Sequence, residues 1–262
     1  MPLAIVLVSP RNPLNIGAVA RAMSNFGFFD LRLVNPYRVA LDEARSGLHA
    51  EEVLANAREF PSLPEAIADC TLVVGATGTA ARDLKTPVYR LEQGAPRLRN
   101  GATAETAALV FGSEKHGLSR EEISHCHSLV HIPTRPAHDS MNLGQAVAIC
   151  LYELVRAEET SSTSRRAPRR ATVETLDRLH ASLFDVLIES GYLEPRVAES
   201  ATEKLRQLLL RLNPRAADAN LLLGMVKQIR LALRRPEIRK KALGRWPDAP
   251  ARDASTSDQD ED

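Results

Sequence analysis

At 262 residues the chain can form one large domain or two modest ones, and 44% apolar residues are ample for a core. Lys and Arg number 34 against 33 Asp and Glu, a net charge of +1, so charge alone does not announce a nucleic-acid partner. No apolar run reaches membrane-spanning length. Cys70, Cys126 and Cys150 lack metal-like spacing, and an odd cysteine count without a signal peptide suits a reducing cytosol.

The apolar run Leu3 to Val8 reads as a strand, broken by Ser9-Pro10-Arg11-Asn12-Pro13. A helix is expected from about Asn15, with Ile16, Val19, Ala20, Met23 and Phe26 at helical spacing and Gly27 at its end. Leu31 to Val34 is a second strand, which makes a βαβ unit and implies a parallel pair. Between Val39 and Phe60 the pattern suggests helical pieces near Leu41–Leu48 and Glu51–Ala57. A short helix is expected over Pro64–Asp69 and a strand over Thr71–Gly75. Ala76 to Pro87 reads as a loop at a strand end, and Glu92 to Thr103 as irregular.

Leu109-Val110-Phe111 looks like a buried strand that breaks at Gly112 into a polar loop, Ser113 to Leu118. Ser119 and Glu122 have the spacing of a capping box. A further apolar run, Leu129 to Ile132, ends at Pro133, and the loop Thr134–Met141 meets a helix opened by Asn142. On that helix Leu143, Ala146, Val147, Cys150, Leu151 and Leu154 form one apolar stripe. Three strand-end loops therefore converge on one sheet edge, where open α/β sheets place ligands.

Composition shifts near residue 158. Residues 158–171 read as a polar, basic linker containing Arg165, Arg166, Arg169 and Arg170, either solvated or phosphate-binding. Residues 172–236 are helical throughout, with leucine stripes interrupted at Gly191 and at Asn213-Pro214. Residues 237–262 form a basic and then acidic tail of disordered composition. The expected architecture is an α/β domain over 1–157, a linker, and a small three-helix extension.

The motifs are more specific than the periodicity. No G-x-G-x-x-G follows the first strand and no phosphate-loop signature is present, so neither an ordinary dinucleotide fold nor a nucleoside triphosphatase has support. The segments Asn15-Ile16-Gly17-Ala18-Val19-Ala20-Arg21-Ala22, Phe111-Gly112-Ser113-Glu114-Lys115-His116-Gly117-Leu118 and Ser140-Met141-Asn142-Leu143-Gly144-Gln145-Ala146-Val147 stand in order. They resemble the three motifs of the SpoU (TrmH-type) RNA ribose 2′-O-methyltransferases, over about residues 3–156. The resemblance implies a knotted SPOUT methyltransferase fold with a parallel sheet, S-adenosyl-L-methionine (SAM) as cofactor, and a homodimer. The helical extension is similar to that of bacterial members that methylate cytidine or uridine at position 32 of the tRNA anticodon loop. A ribosomal RNA substrate, or a catalytically silent knotted RNA-binding protein, are the alternatives.

Carried over by position, Ala76, Thr77, Gly78, Gly112, Ile132, Ser140, Met141 and Leu143 match the family's cofactor contacts; Met141 replaces the commoner leucine. Arg21 matches the arginine to which the family's catalysis is ascribed. Guanidinium hardly deprotonates, so a cation that holds the adjacent phosphate and stabilises charge on the ribose oxygen is the preferred role. Asn15, Glu114 and Asn142 are expected to fix Arg21 and the loops by hydrogen bonds, with Asn142 also a candidate helix cap and Ser140 a cofactor contact or guide for the nucleophile. Arg11, Arg82, Lys85, Arg165 and Arg166 are candidate RNA contacts. The chemistry requires no metal. The His125-Cys126-His127-His131 group has no second ligand pair at zinc-finger spacing.

Overall fold

Unbroken apolar runs become the middle of a parallel sheet. In the computed structural model, which describes residues 2–46, 51–78, 86–102, 106–135, 141–156, 169–193 and 198–235, every residue of β1 (Leu3–Val8) and β6 (Ala107–Phe111) is buried. Such continuous hydrophobic strands are the mark of a sheet covered on both faces. The other strands are β2 (Asp30–Val34), β3 (Arg58–Phe60), β4 (Leu72–Thr77), β5 (Val88–Arg90) and β7 (Ser128–His131). All seven pair in parallel, in the order β3-β2-β1-β6-β4-β7-β5.

Alternation along β1 sorts the core into two layers. Leu3, Ile5 and Leu7 face a cluster built with α1 (Pro13–Asn25), α2 (Arg38–Ser46), α3 (Glu51–Ala55), α5 (Leu91–Gly101) and α7 (Leu143–Arg156). Ala4, Val6 and Val8 face the second cluster, closed by α4 (Leu63–Ala66), α6 (Arg120–Ser124) and Val173. The period of two along a strand is what divides these faces.

Two differences from the sequence reading stand out. The stretch expected to be irregular after Glu92 is α5, despite Gly94, Pro96 and Gly101. Its glycines are packing choices: a Cβ on Gly94 would lie 2.4 Å from Val130 Cγ1, and one on Gly101 would lie 2.5 Å from Leu72 Cδ2. The short strands β3 and β5, three residues each and poorly buried, were not expected at all.

The C-terminal helices are α8 (Val173–Glu189), α9 (Ala198–Leu212) and α10 (Ala216–Arg234). α8 packs against both others through Leu176, Leu210 and Ala219 and through Leu179, Val186, Leu209 and Val226. The expected linker ends sooner than residue 171: the Ala171 N–H donates to Pro214 O at 3.0 Å and the Ala216 N–H to Arg169 O at 2.9 Å. Residues 157–168 and 236–262, with Arg165, Arg166 and the tail, lie outside the described residues.

This helical unit is docked rather than tethered. The Val173 N–H donates to Cys70 O at 2.8 Å, the Glu174 N–H to Ala68 O at 3.0 Å, and Val173 itself is part of the sheet's second cluster.

Near this boundary the histidines are structural. His127 Nδ1 accepts from the Val73 N–H at 3.1 Å, and burial pushes His127 down to about 4. Burial, with Arg206 and His180 nearby, does the same to His125. Among the described residues, no group of three or more His, Cys, Asp or Glu side chains could hold a metal. The depressed values set an acid limit on stability. The unfolded chain takes up these protons below about pH 6.5, while the folded chain resists until about pH 4. The stability from keeping them neutral is complete above that range and lost as pH falls through it. Urea unfolding should therefore show a midpoint that drops between pH 6.5 and 4, and His127→Asn, which keeps an acceptor for Val73, should flatten the drop. An unchanged pH dependence in that variant would assign the acid sensitivity elsewhere.

Candidate functional site

The carboxyl ends of β6, β4 and β7 open into a cleft of about 460 Å³. That volume suits a nucleoside-sized ligand. Its floor and walls come from Ala76, Thr77 and Gly78 at the end of β4, Phe111 and Gly112 at the end of β6, and Val130 and Ile132 along β7. The start of α7 adds Met141, Asn142, Leu143 and Ala146. One side is apolar; the other is backbone and small polar groups.

After β6 the chain makes a tight hairpin. Ser113 and Gly117 form an antiparallel bridge, closed by the Gly117 N–H to Ser113 O at 2.8 Å, with Gly117 at φ +67. That left-handed conformation favours glycine. Gly112 is fixed by crowding instead: a Cβ there would lie 2.0 Å from the Gly117 carbonyl carbon. The hairpin presents Glu114, Lys115 and His116 at the cleft.

Glu114 reaches from the hairpin to the N-terminus of α1. It accepts from the Asn12 N–H at 3.1 Å, the Arg11 N–H at 3.3 Å and Asn15 Nδ2 at 3.1 Å. An anion is stabilised at a helix N-terminus by the unpaired amides there. Burial opposes the charge on Glu114, but the hydrogen bonds it accepts prevail and hold its carboxyl below the usual range. Asn15, 8% exposed, continues the chain: its Oδ1 accepts from Asn142 Nδ2 at 2.8 Å. Asn142 Oδ1 in turn accepts from the Gln145 N–H at 3.3 Å, capping α7. Three segments are thus locked together by one hydrogen-bonded line, Asn142–Asn15–Glu114–Arg11/Asn12. Close approach of α1 and α7 permits this, because Gly144 faces Ala18 with room for no Cβ.

The structure brings together Asn15, Glu114, Asn142, Ala76, Thr77, Gly78, Gly112, Ile132, Met141 and Leu143. Arg21 is not among the lining residues; it is exposed on α1. Six residues past Asn15 puts it about 9 Å further along the helix and on another face. Arg11 is exposed at the rim, with its backbone N–H held by Glu114. Ser140, Arg82 and Lys85 lie outside the described residues. Lys115, His116, Val130, Thr134 and Ala146 also line the cleft and were not singled out from the sequence; Lys115, His116 and Ala146 lie within the quoted motifs, whereas Val130 and Thr134 flank Ile132 on the strand-end side.

Comparison with known proteins fits this geometry. The sequence profile of the SpoU rRNA Methylase family matches residues 2–152. The tRNA (cytidine/uridine-2′-O-)-methyltransferase TrmJ of Cronobacter sakazakii is 36% identical over 234 residues, covering 86% of this chain and 94% of that one. The protein of the same name from Yersinia enterocolitica is 37% identical over 236 residues, covering 86% and 90%. The crystal structure of TrmJ from Z. mobilis ZM4 superposes with a TM-score of 0.74 at 32% identity, covering 87% of this chain and 98% of that one. A profile spanning more than half the chain, and relatives alike along nearly their whole length, show that the chain belongs to the SpoU methylase family.

Proposed function

We propose that the protein is a SAM-dependent tRNA ribose 2′-O-methyltransferase acting on cytidine or uridine at position 32 of the anticodon loop. The observation that carries this reading is the Asn142–Asn15–Glu114 line, which joins all three motif segments beside one cleft. The names of the relatives supply the nucleotide and tRNA specificity. The anticodon-loop position rests on the likeness of the helical extension.

The cleft fits the cofactor. Val130, Ile132, Leu143 and Ala146 offer an apolar slot for a purine, while the strand-end backbone at Ala76–Gly78 and Gly112 offers donors and acceptors. When bound, SAM supplies an activated methyl group on sulfonium. The chain's own residues then have the tasks of placing the ribose oxygen in line and favouring loss of its proton. Glu114, Asn15 and Asn142 hold the hairpin and two helix N-termini in register. Ser140 contacts the cofactor or steers the nucleophile. Arg21 stabilises charge on the ribose oxygen and holds the neighbouring phosphate.

Its exposure on α1 supports a homodimer in which Arg21 serves the partner's cleft. Leu14, 79% exposed, Ala18 and Arg21 share the outer side of α1, and Ile149 and Tyr152 of adjoining α7 are 38% and 54% exposed. Residues 1–157 form the catalytic, knotted domain in this reading, and the helical extension holds tRNA. Arg11, Arg82, Lys85, Arg165 and Arg166 follow its backbone, joined by the exposed Lys204, Arg211 and Lys227.

Calorimetry with SAM, sedimentation, and mass-spectrometric mapping of ribose methylation after incubation with tRNA or ribosomal RNA test this together. A micromolar dimer that binds SAM and methylates position 32 is expected. Methylation confined to ribosomal RNA would replace the substrate; absence of SAM binding would leave a silent RNA-binding protein.

A further inference from the structure

Arg206 of α9 does not project into solvent as Lys204, Arg211 and Lys227 do. Its Nη1 donates to Ser124 Oγ at 2.9 Å, across the boundary with the sheet domain. Ser124 is the last residue of α6 and is 1% exposed; its own hydroxyl donates to Glu121 O at 2.7 Å. The contact is therefore a half-buried, charge-assisted pin on the end of a five-residue helix. Arg206 lines a small cavity with Leu209 and Leu210 of α9, Val173, Leu176, Asp177 and His180 of α8, and His125.

α6 leads straight back to the cleft. It begins at the Ser119 capping box, in which Ser119 Oγ accepts from the Glu122 N–H at 3.2 Å and Glu122 Oε2 from the Ser119 N–H at 2.6 Å. Leu118, 4% exposed, joins the cap to the hairpin. It sits so close to β4 that a Cβ on Gly75 would lie 2.9 Å from Leu118 Cδ1 and 3.0 Å from Cys126 Sγ. Gly75 directly precedes Ala76 of the cleft. Every step from Arg206 to the Gly112–Leu118 segment is short and packed.

Keeping a guanidinium at this boundary is costly unless it has a task. Among the described residues Arg206 Nε and His125 Nδ1 are buried without hydrogen-bond partners. Burial raises Asp177 and lowers His125, and of the charged groups lining the same small cavity only Asp177, whose carboxylate the Arg206 charge favours, carries the opposite sign.

We propose that Arg206 is a positioning residue for the cofactor cleft: by pinning Ser124 it fixes α6 and thereby the Gly112–Leu118 hairpin, making the helical unit part of the cofactor site as well as the RNA-holding surface. This rests on the assignment of the cleft to SAM. The role needs no contact between Arg206 and either substrate.

The test uses the full chain and three variants. Arg206→Met keeps the apolar stem and removes the donor; Ser124→Ala removes the acceptor by deleting one atom. Calorimetric titration with SAM should show Kd raised about five- to tenfold in both, the range of an ordinary net hydrogen bond, since only part of the lost contact is felt at the cleft. Turnover at saturating SAM and affinity for tRNA should stay within about twofold, and Arg206→Lys should recover part of the cofactor affinity. Circular dichroism at the assay temperature verifies folding, and Ser124→Ala decides the matter if Arg206→Met does not fold. Unchanged SAM affinity in the folded variants overturns the role, whether or not their melting temperature falls. Loss of tRNA affinity without loss of SAM affinity overturns it in favour of an RNA-contacting Arg206. A wild-type chain that binds no SAM overturns the reading of the cleft and this role with it.

Discussion

Arg21→Ala is expected to lower methyl transfer by about 10²–10³-fold, the scale of removing one donor aimed at a developing oxyanion. SAM affinity should not change, since Arg21 is absent from the lining of the cleft. Lysine should rescue poorly because it lacks the planar fork that can hold a phosphate and a ribose oxygen together. The exposed position of Arg21 adds a sharper test. Mixed dimers of Arg21→Ala with Asn142→Ala subunits should regain part of the activity if each cleft takes its arginine from the partner. Mixed dimers as inactive as their parents would place Arg21 in its own subunit's site, and near-wild-type turnover in Arg21→Ala would remove it from the mechanism altogether.

The second large effect is expected at Gly112. A Cβ there would lie 2.0 Å from Gly117 C and 2.2 Å from both Gly117 O and Leu118 N. These are backbone atoms of the hairpin, so no side-chain rotation relieves the clash. Gly112→Ala should destabilise the fold by about 1–3 kcal/mol, as overpacking does. It should abolish measurable SAM binding, because the hairpin must move off β6. Gly117→Ala is the control: its Cβ would meet nothing within 4 Å, and only the positive φ of +67 is strained. That strain amounts to about 1–2 kcal/mol, and cofactor affinity should largely survive. Normal SAM binding by Gly112→Ala would show that the hairpin is not a fixed wall of the cleft.

The contrast between those two glycines shows where the sequence was informative. Both were visible as motif residues, yet only coordinates reveal that one is crowded and the other twisted. The βαβ start, the buried strands β6 and β7, and the stripe of α7 were legible because their apolar patterns are long and regular. α5 carried a periodic signal in Leu91, Ala95 and Leu98, but Gly94 and Pro96 outweighed it in a propensity reading. Tertiary contacts with Val130 and Leu72 select those glycines, and no local rule anticipates them. β3 and β5 are too short and too exposed to leave a pattern.

Within the site, the motifs named Asn15, Glu114 and Asn142, but not their order along one hydrogen-bonded line. The motifs also suggested that these residues fix Arg21. Among them, hydrogen bonds run from Asn142 through Asn15 to Glu114 and the amides of Arg11 and Asn12. Arg206 was one cation among several on a helix; its inward turn to Ser124 depends on how two units pack, which periodicity cannot register. Arg230 and Arg234 likewise bind Glu189. Half of the six basic residues Lys204, Arg206, Arg211, Lys227, Arg230 and Arg234 thus have partners within the fold.

Val173 has a consequence for how the chain is made. It completes the sheet's second apolar layer, yet it follows the last residue of α7, Arg156, by 17 positions. At synthesis rates of about 5–20 residues per second, a nascent chain holds the sheet without this last member of its second cluster for roughly one to three seconds. Until α8 emerges, the cluster that holds Ile67, Cys70, Ile123 and Cys126 lacks one of its members. A stop codon placed after the third motif would therefore release a chain whose seven strands are all present but whose second apolar cluster lacks Val173.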